Sequence, residues 1–170
     1  MGDEILVTYA TRHGSTEGVA HAIAEAFSEE DAAVSVKPVH EVEDLGAWRA
    51  VVLGSPLYAG KLLGDAVAFA NGHREELSRM PVALFVVGLT MCRPSEKNVR
   101  KVVKQTKSFV ELLRPTDVGL FAGALDYDSL GFFQRMMMKF VKIPEGDFRK
   151  WEVIRRWAKE LLPKLVKEAD

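Results

Sequence analysis

Short apolar runs alternate with helical stripes along the whole chain. Ile5 to Ala10 (ILVTYA) is β-branched and aromatic, as strands prefer. Val34 to Val39 (VSVKPV) alternates apolar and polar residues and contains Pro38. Proline cannot donate to a ladder, so this strand belongs at a sheet edge. Ala50 to Gly54 (AVVLG) and Val82 to Gly88 (VALFVVG) are almost continuously apolar. That is the pattern of strands covered on both faces. Val118 to Ala124 (VGLFAGA) completes the set.

Helical spacing fills the gaps between these runs. Val19, Ala20, Ile23, Ala26 and Phe27 share one face, and Val67, Phe69, Ala70 and Leu77 share another less cleanly. Val99, Val102, Val103, Thr106, Phe109, Val110 and Leu113 form the longest stripe, opposite Arg100, Lys101, Lys104 and Lys107. Pro115 stops that helix. Val153, Ile154, Trp157, Leu161, Leu162 and Leu165 make the last stripe, and Pro163 inside it predicts a kink or an early end.

Strands alternating with helices over short connections predict right-handed βαβ units and a parallel sheet with helices on both faces. The expectation is therefore one α/β domain over residues 1–170, a three-layer sandwich with five strands in the order 2-1-3-4-5. In such sheets ligands sit beyond the carboxyl ends of the strands, at the switch point between the first and third.

Composition narrows the class. A chain of 170 residues, 48% hydrophobic and 28% charged, can bury a sizeable core and is not a disordered segment. No apolar run is long enough to span a bilayer. Acids near the N-terminus (MGDEILV) stand where an export signal would carry basic residues. The single cysteine, Cys92, excludes an internal disulfide and a Cys-based zinc site, and a reducing cytoplasmic compartment is the expectation. A net charge of −1 argues against a protein built to hold nucleic acid. The charge is nevertheless divided. Residues 1–90 carry 6 Lys/Arg against 13 Asp/Glu, and residues 91–170 carry 17 against 11. An anionic partner would dock on the second half, although solvated helix faces explain the same pattern.

The loops at the strand ends carry the chemistry. After the first strand comes Thr11-Arg12-His13-Gly14-Ser15-Thr16, which leads into a helix. Free amides at a helix N-terminus attract an anion, and three hydroxyls can donate to its oxygens. Gly14 permits a tight turn, and Arg12 and His13 can add positive charge. Ser15 or Thr16 could instead be a simple N-cap. Neither G-x-G-x-x-G nor G-x-x-x-x-G-K-[ST] is present here. After the third strand comes Gly54-Ser55-Pro56-Leu57-Tyr58-Ala59-Gly60, in which Leu57 and Tyr58 could cover a flat ring or pack on their own domain. Leu89-Thr90-Met91-Cys92-Arg93-Pro94 follows the fourth strand, and Leu125-Asp126-Tyr127-Asp128 the fifth.

Together these loops resemble those of the flavodoxin-like FMN-binding proteins, and the likeness covers nearly the whole chain. The resemblance implies FMN as cofactor. Its phosphate would be held by Thr11, Arg12, His13, Gly14, Ser15 and Thr16. Its ring would lie among Pro56, Leu57, Tyr58, Ala59, Gly60, Gly88, Leu89, Thr90, Met91, Asp126 and Tyr127. In the second half, Gly123-Ala124-Leu125-x-Tyr127, the Phe/Met-rich basic helix after it, Gly146-Asp147-x-Arg149-x-Trp151 and Arg93-Pro94-Ser95-Glu96-Lys97 are similar to the menaquinone-dependent protoporphyrinogen oxidase branch. That likeness implies an FMN-dependent oxidoreductase. Electrons or hydride would pass through the flavin, to or from a quinone or a porphyrinogen-type substrate. A soluble flavodoxin-type electron carrier is the first alternative, and a non-enzymatic doubly wound binding module the second.

The stretch Leu130 to Ile143 (LGFFQRMMMKFVKI) sets Phe133, Met136, Met137 and Phe140 against Arg135, Lys139 and Lys142. It reads either as a core-packing helix or as an interfacial one, making peripheral contact with the inner face of the membrane. The expected partners are a redox protein or a quinone, with a homodimer left open.

Overall fold

The computed structural model describes residues 2–125, 131, 132, 136 and 145–167. Five parallel strands form the central sheet: β1 (Glu4–Tyr9), β2 (Val34–Pro38), β3 (Trp48–Tyr58), β5 (Val82–Gly88) and β6 (Asp117–Ala122). Their order is β2-β1-β3-β5-β6. A two-residue strand, β4 (Lys61–Leu62), folds back antiparallel on the end of β3. With β4 set aside, this is the 2-1-3-4-5 order expected. Two further short strands, β7 (Ala124–Leu125) and β8 (Gly146–Asp147), pair antiparallel beside the sheet.

Period-two alternation divides the apolar strand residues between two cores. Ile5, Val7 and Tyr9 of β1, Ala50 and Val52 of β3, and Ala83, Phe85 and Val87 of β5 face α1 (Ser15–Glu29) and α5 (Trp151–Val166). Leu6, Val51, Leu53, Val82, Leu84 and Val86 face α2 (Gly64–Gly72), α3 (Arg74–Leu77) and α4 (Glu96–Leu113). The central strands read as unbroken apolar runs because both of their faces are covered. β2 pairs only with β1 and ends on Pro38, so the proline costs no interior ladder bond.

Four expectations need correction. β3 does not end at Gly54 but runs through Pro56 to Tyr58. The Gly54 carbonyl accepts from the Ala10 amide, so Gly54, and Pro56 two residues on, turn their backbone groups toward β1. The β1 ladder stops at Tyr9 opposite Gly54, so the missing Pro56 N–H leaves no bond unmade there. α5 passes through Pro163 and ends at Val166. Leu161, Leu162 and Leu165 are buried around an exposed Pro163, so the carbonyl it frees faces water. The buried stripe of α4 is narrower than its apolar stripe: Val99 and Val103 are exposed. The stretch from Val67 to Leu77 is two helices, broken at His73.

Among the described residues no helix is long and apolar enough to cross a membrane. Asp126, Tyr127 and most of Leu130 to Ile143 lie outside the described residues. Of that stretch Gly131, Phe132 and Met136 are described, and all three are exposed.

Candidate functional site

The first loop enters α1 through Gly14, at φ 86°, and no side chain caps the helix. The simple N-cap reading of Ser15 or Thr16 therefore fails. The Gly14 amide donates to Thr11 Oγ1 at 2.9 Å, which curls the loop over itself. Gly18 is the next residue whose amide closes a helical bond, to the Gly14 carbonyl at 3.3 Å. The amides of Ser15, Thr16 and Glu17 have no acceptor among the described residues, as the start of a helix dictates. Thr16 is fully buried, and its Oγ1 has no hydrogen-bond partner. His13 Nε2 is likewise buried and unpaired. Open amides, the positive end of a helix and an unmet buried hydroxyl at one turn make an anion cradle.

A Cβ at Gly14 would meet nothing within 4 Å, so only its left-handed backbone resists substitution. Gly14→Ala is expected to destabilise the protein by about 1–2 kcal/mol, read as a lower urea midpoint. An unchanged midpoint would mean that the turn re-forms without its positive φ.

The third-strand loop closes on the first. The Arg12 guanidinium lies 5.5 Å from the centre of the Tyr58 ring, and His13 meets that ring edge-on at 6.0 Å. Tyr58 thus packs half-buried on its own domain, at the rim both loops share. Burial pushes its phenol pKa up, against the pull of Arg12, so it is neutral at physiological pH. At the end of β1, burial first and the charge of Glu17 second push Tyr9 up to about 12. Ala59 (φ 47°) and Gly60 (φ 78°) make the reversal into β4. Ser55 braces that reversal, donating to the Pro56 carbonyl at 2.9 Å and accepting from the Leu63 amide at 3.0 Å.

Gly88 closes the third side. A Cβ there would touch Leu57 at 3.5 Å, so the ends of β3 and β5 lie side by side and start their loops together. Leu89, Thr90 and Met91 follow in a 3-10 turn ending at Cys92, all half-buried. Burial raises the Cys92 thiol pKa, which suits a packing role. The structure therefore brings the first, third and fourth loops to one crevice at the carboxyl ends of β1, β3 and β5.

One neighbour of this crevice had no role assigned from sequence. Arg149, just past β8, donates to the Ser15 carbonyl at 3.4 Å, across 134 residues of chain. Its Nη1 lies 2.5 Å from where a Gly18 Cβ would stand, so Gly18 leaves room for it. Asp147 grips the same guanidinium at 2.9 and 2.7 Å, and the Trp151 ring lies 4.6 Å beneath it. From sequence, Gly146-Asp147-x-Arg149-x-Trp151 stood out only for its likeness to the oxidase branch, and nothing local pointed to Ser15.

Hydrogen bonds from Arg149 hold the Asp147 carboxyl below its ordinary range, outweighing partial burial. A depressed carboxylate contributes stability above its unfolded pKa of about 3.9 and loses it as pH falls through the lower folded value. Asp147→Asn is expected to lower stability at pH 7 and to flatten the acid limb below about pH 4, the gap to the parent closing as pH falls. Identical acid limbs in the two proteins would rule that contribution out.

A model of the flavodoxin domain matches residues 6–150. The chain belongs to the flavodoxin domain family. It is 30% identical to a protoporphyrinogen IX dehydrogenase [quinone] of Leishmania major, over 91% of this chain and 73% of that protein. It is 28% identical to the protein of the same name from Escherichia coli strain K12, over 92% of this chain and 93% of that one. Oxidised flavodoxin 2 from Bacillus cereus superposes with a TM-score of 0.56 at 19% identity, over 95% of this chain and 99% of that one. The crevice thus falls where an open sheet of this order binds ligands, at the switch point between β1 and β3.

Proposed function

We propose that this chain is an FMN-dependent redox protein. Thr16 carries the reading: its hydroxyl is buried without a partner, in the turn where the Ser15, Thr16 and Glu17 amides stand open. A buried hydroxyl left unpaired costs about 1–3 kcal/mol, and a phosphate oxygen would accept its hydrogen bond. The donor set is hydroxyls and amides, with Arg12 beside it, and this chemistry fits a phosphate monoester.

Thr11, Arg12, His13, Gly14, Ser15 and Thr16 would hold the phosphate. Pro56, Leu57, Tyr58, Ala59 and Gly60 would flank the ring on one side, with Gly88, Leu89, Thr90 and Met91 on the other, and Asp126 and Tyr127 are assigned there from sequence. Bound FMN would supply a ring that takes up and returns electrons. The chain's own residues neutralise the phosphate, keep water from the buried part of the ring and present uncharged Tyr58 beside it.

Two forms of this function differ in turnover. The carrier form is supported by the end-to-end match to a flavodoxin of nearly the same length. The enzyme form, oxidation of a porphyrinogen-type substrate with a quinone as acceptor, is supported by the names of the two sequence relatives. Titration of the protein with FMN is expected to give saturable one-to-one uptake, with riboflavin held more weakly. No uptake of FMN would overturn the proposal. Protoporphyrinogen oxidation by the loaded protein, with and without a quinone, then separates the forms. Quinone-dependent turnover selects the enzyme; reversible reduction without turnover selects the carrier.

A further inference from the structure

We propose that the solvent face of the first turns of α4 docks an acidic redox partner protein beside the crevice, an inference that rests on the flavin reading. Val102, Thr106, Phe109 and Leu113 are the buried stripe of α4. One flank of that stripe is fastened to the site loops. Asn98 donates to the carbonyls of Thr90 at 3.2 Å and Arg93 at 2.6 Å. Gln105 reaches the third-strand loop, its Nε2 lying 2.7 Å from where a Gly60 Cβ would stand. At about 100° per residue, Lys97 and Lys101 lie next outward from this flank, with Lys104 one turn on from Lys101.

These three lysines are exposed and make no ion pair among the described residues. The cations farther round the helix are compensated: Arg100 pairs with Glu96 at 3.2 Å and Lys107 with Glu111 at 3.8 Å. The facing loops add exposed Arg12, Lys61 and Arg93. Residues 1–90 hold 6 basic against 13 acidic residues, yet two of those six, Arg12 and Lys61, stand at this rim. A run of exposed, unpaired positive charge among the described residues therefore borders the crevice. The lysine stripe extends over about 10 Å of helix and does not converge on a point. Flexible, well-hydrated ammonium groups spread in this way match an extended acidic protein face better than one small anion. Such a field steers encounter and orients the partner toward the crevice.

The probe is an acidic plant-type [2Fe–2S] ferredoxin. Each reduced ferredoxin gives one electron; two such transfers, with two protons from solvent, reduce the flavin. In stopped-flow measurements on the FMN-loaded protein, the rate is expected to fall about 10-fold as salt rises from about 20 to about 300 mM. The variant Lys97→Glu/Lys101→Glu/Lys104→Glu should retain FMN, judged by its visible spectrum, and lose a similar factor at low salt. Arg74→Glu/Lys167→Glu, at the opposite end of the strands, should stay within about twofold of the parent. Calorimetric binding of ferredoxin should follow the same pattern. Salt-independent rates and binding, or a triple variant equal to the parent, would overturn the proposal. So would a triple variant that loses only its binding to phosphatidylserine vesicles, since the face would then serve a lipid surface. The calorimetric arm needs no flavin. Salt-sensitive ferredoxin binding by a protein that takes up no FMN supports the docking face and removes the flavin reading. FMN uptake without ferredoxin binding removes the docking face alone.

Discussion

Thr16→Val is expected to stabilise the empty protein and to weaken FMN uptake by about 10- to 100-fold, opposite effects of one hydroxyl. Valine keeps the shape of the side chain and removes the oxygen. In the empty protein that oxygen is buried without a partner, so its loss should raise stability by about 1 kcal/mol. With phosphate in the turn, the same oxygen would donate to a charged acceptor. Losing a hydrogen bond of that kind costs about 1.5–3 kcal/mol. Riboflavin, which has no phosphate, separates this from a general loosening of the site: its affinity should not move. Equal losses for FMN and riboflavin, or no loss for either, would remove Thr16 from the phosphate site.

Gly54→Ala is expected to cost about 3 kcal/mol or more, a large effect for one methyl group. Gly54 stands opposite Phe85 in the β3–β5 ladder, on the sheet face that packs against α1 and α5. The fully buried Phe85 ring lies over it, and a Cβ would sit well inside contact distance of three ring carbons. The ring has no open space to enter, so the strands themselves would have to part. Phe85→Leu should recover much of the loss in the double variant, because it removes the far ring carbons. Thermal unfolding of the four proteins of this cycle decides the matter. A Gly54→Ala protein within about 0.5 kcal/mol of the parent would show that the ring moves aside at little cost.

The parts of this fold that were legible in the sequence are those where one local rule decides. Val82 to Gly88 is a strand end to end, because six apolar residues closed by a glycine suit a doubly covered strand. Pro38 placed β2 at the edge for want of one N–H. Where tertiary context decides, the reading stopped short. Pro56 is a loop signal, yet β3 accommodates it because β1 has already ended beside it. Pro163 predicts a kink or an early end, yet α5 does not stop there, and buried leucines on either side hold its last turn together. Val99 and Val103 carry the apolar period of α4 but lie beyond the width of the sheet face it covers. At the crevice, the hydroxyl-rich turn was legible from residue types alone. That Thr16, among its hydroxyls, would be the buried and unpaired one depends on the packing of α1 and could not be read. Neither could the reach of Arg149 to Ser15.

The position of α5 in the chain has a consequence for biosynthesis. Ile154, Leu161 and Leu165 cover the same core as Val19, Ile23 and Phe27 of α1, and Arg49 near the start of β3 ties to the Val166 carbonyl at 3.1 Å. A nascent chain that has made only its first hundred or so residues leaves the inner side of α1 uncovered, in need of chaperones or of waiting. The turn at Gly14 is made early, but the helix it opens gains its full packing only after Val166 has left the ribosome, so a phosphate-bearing group held at that turn would bind late.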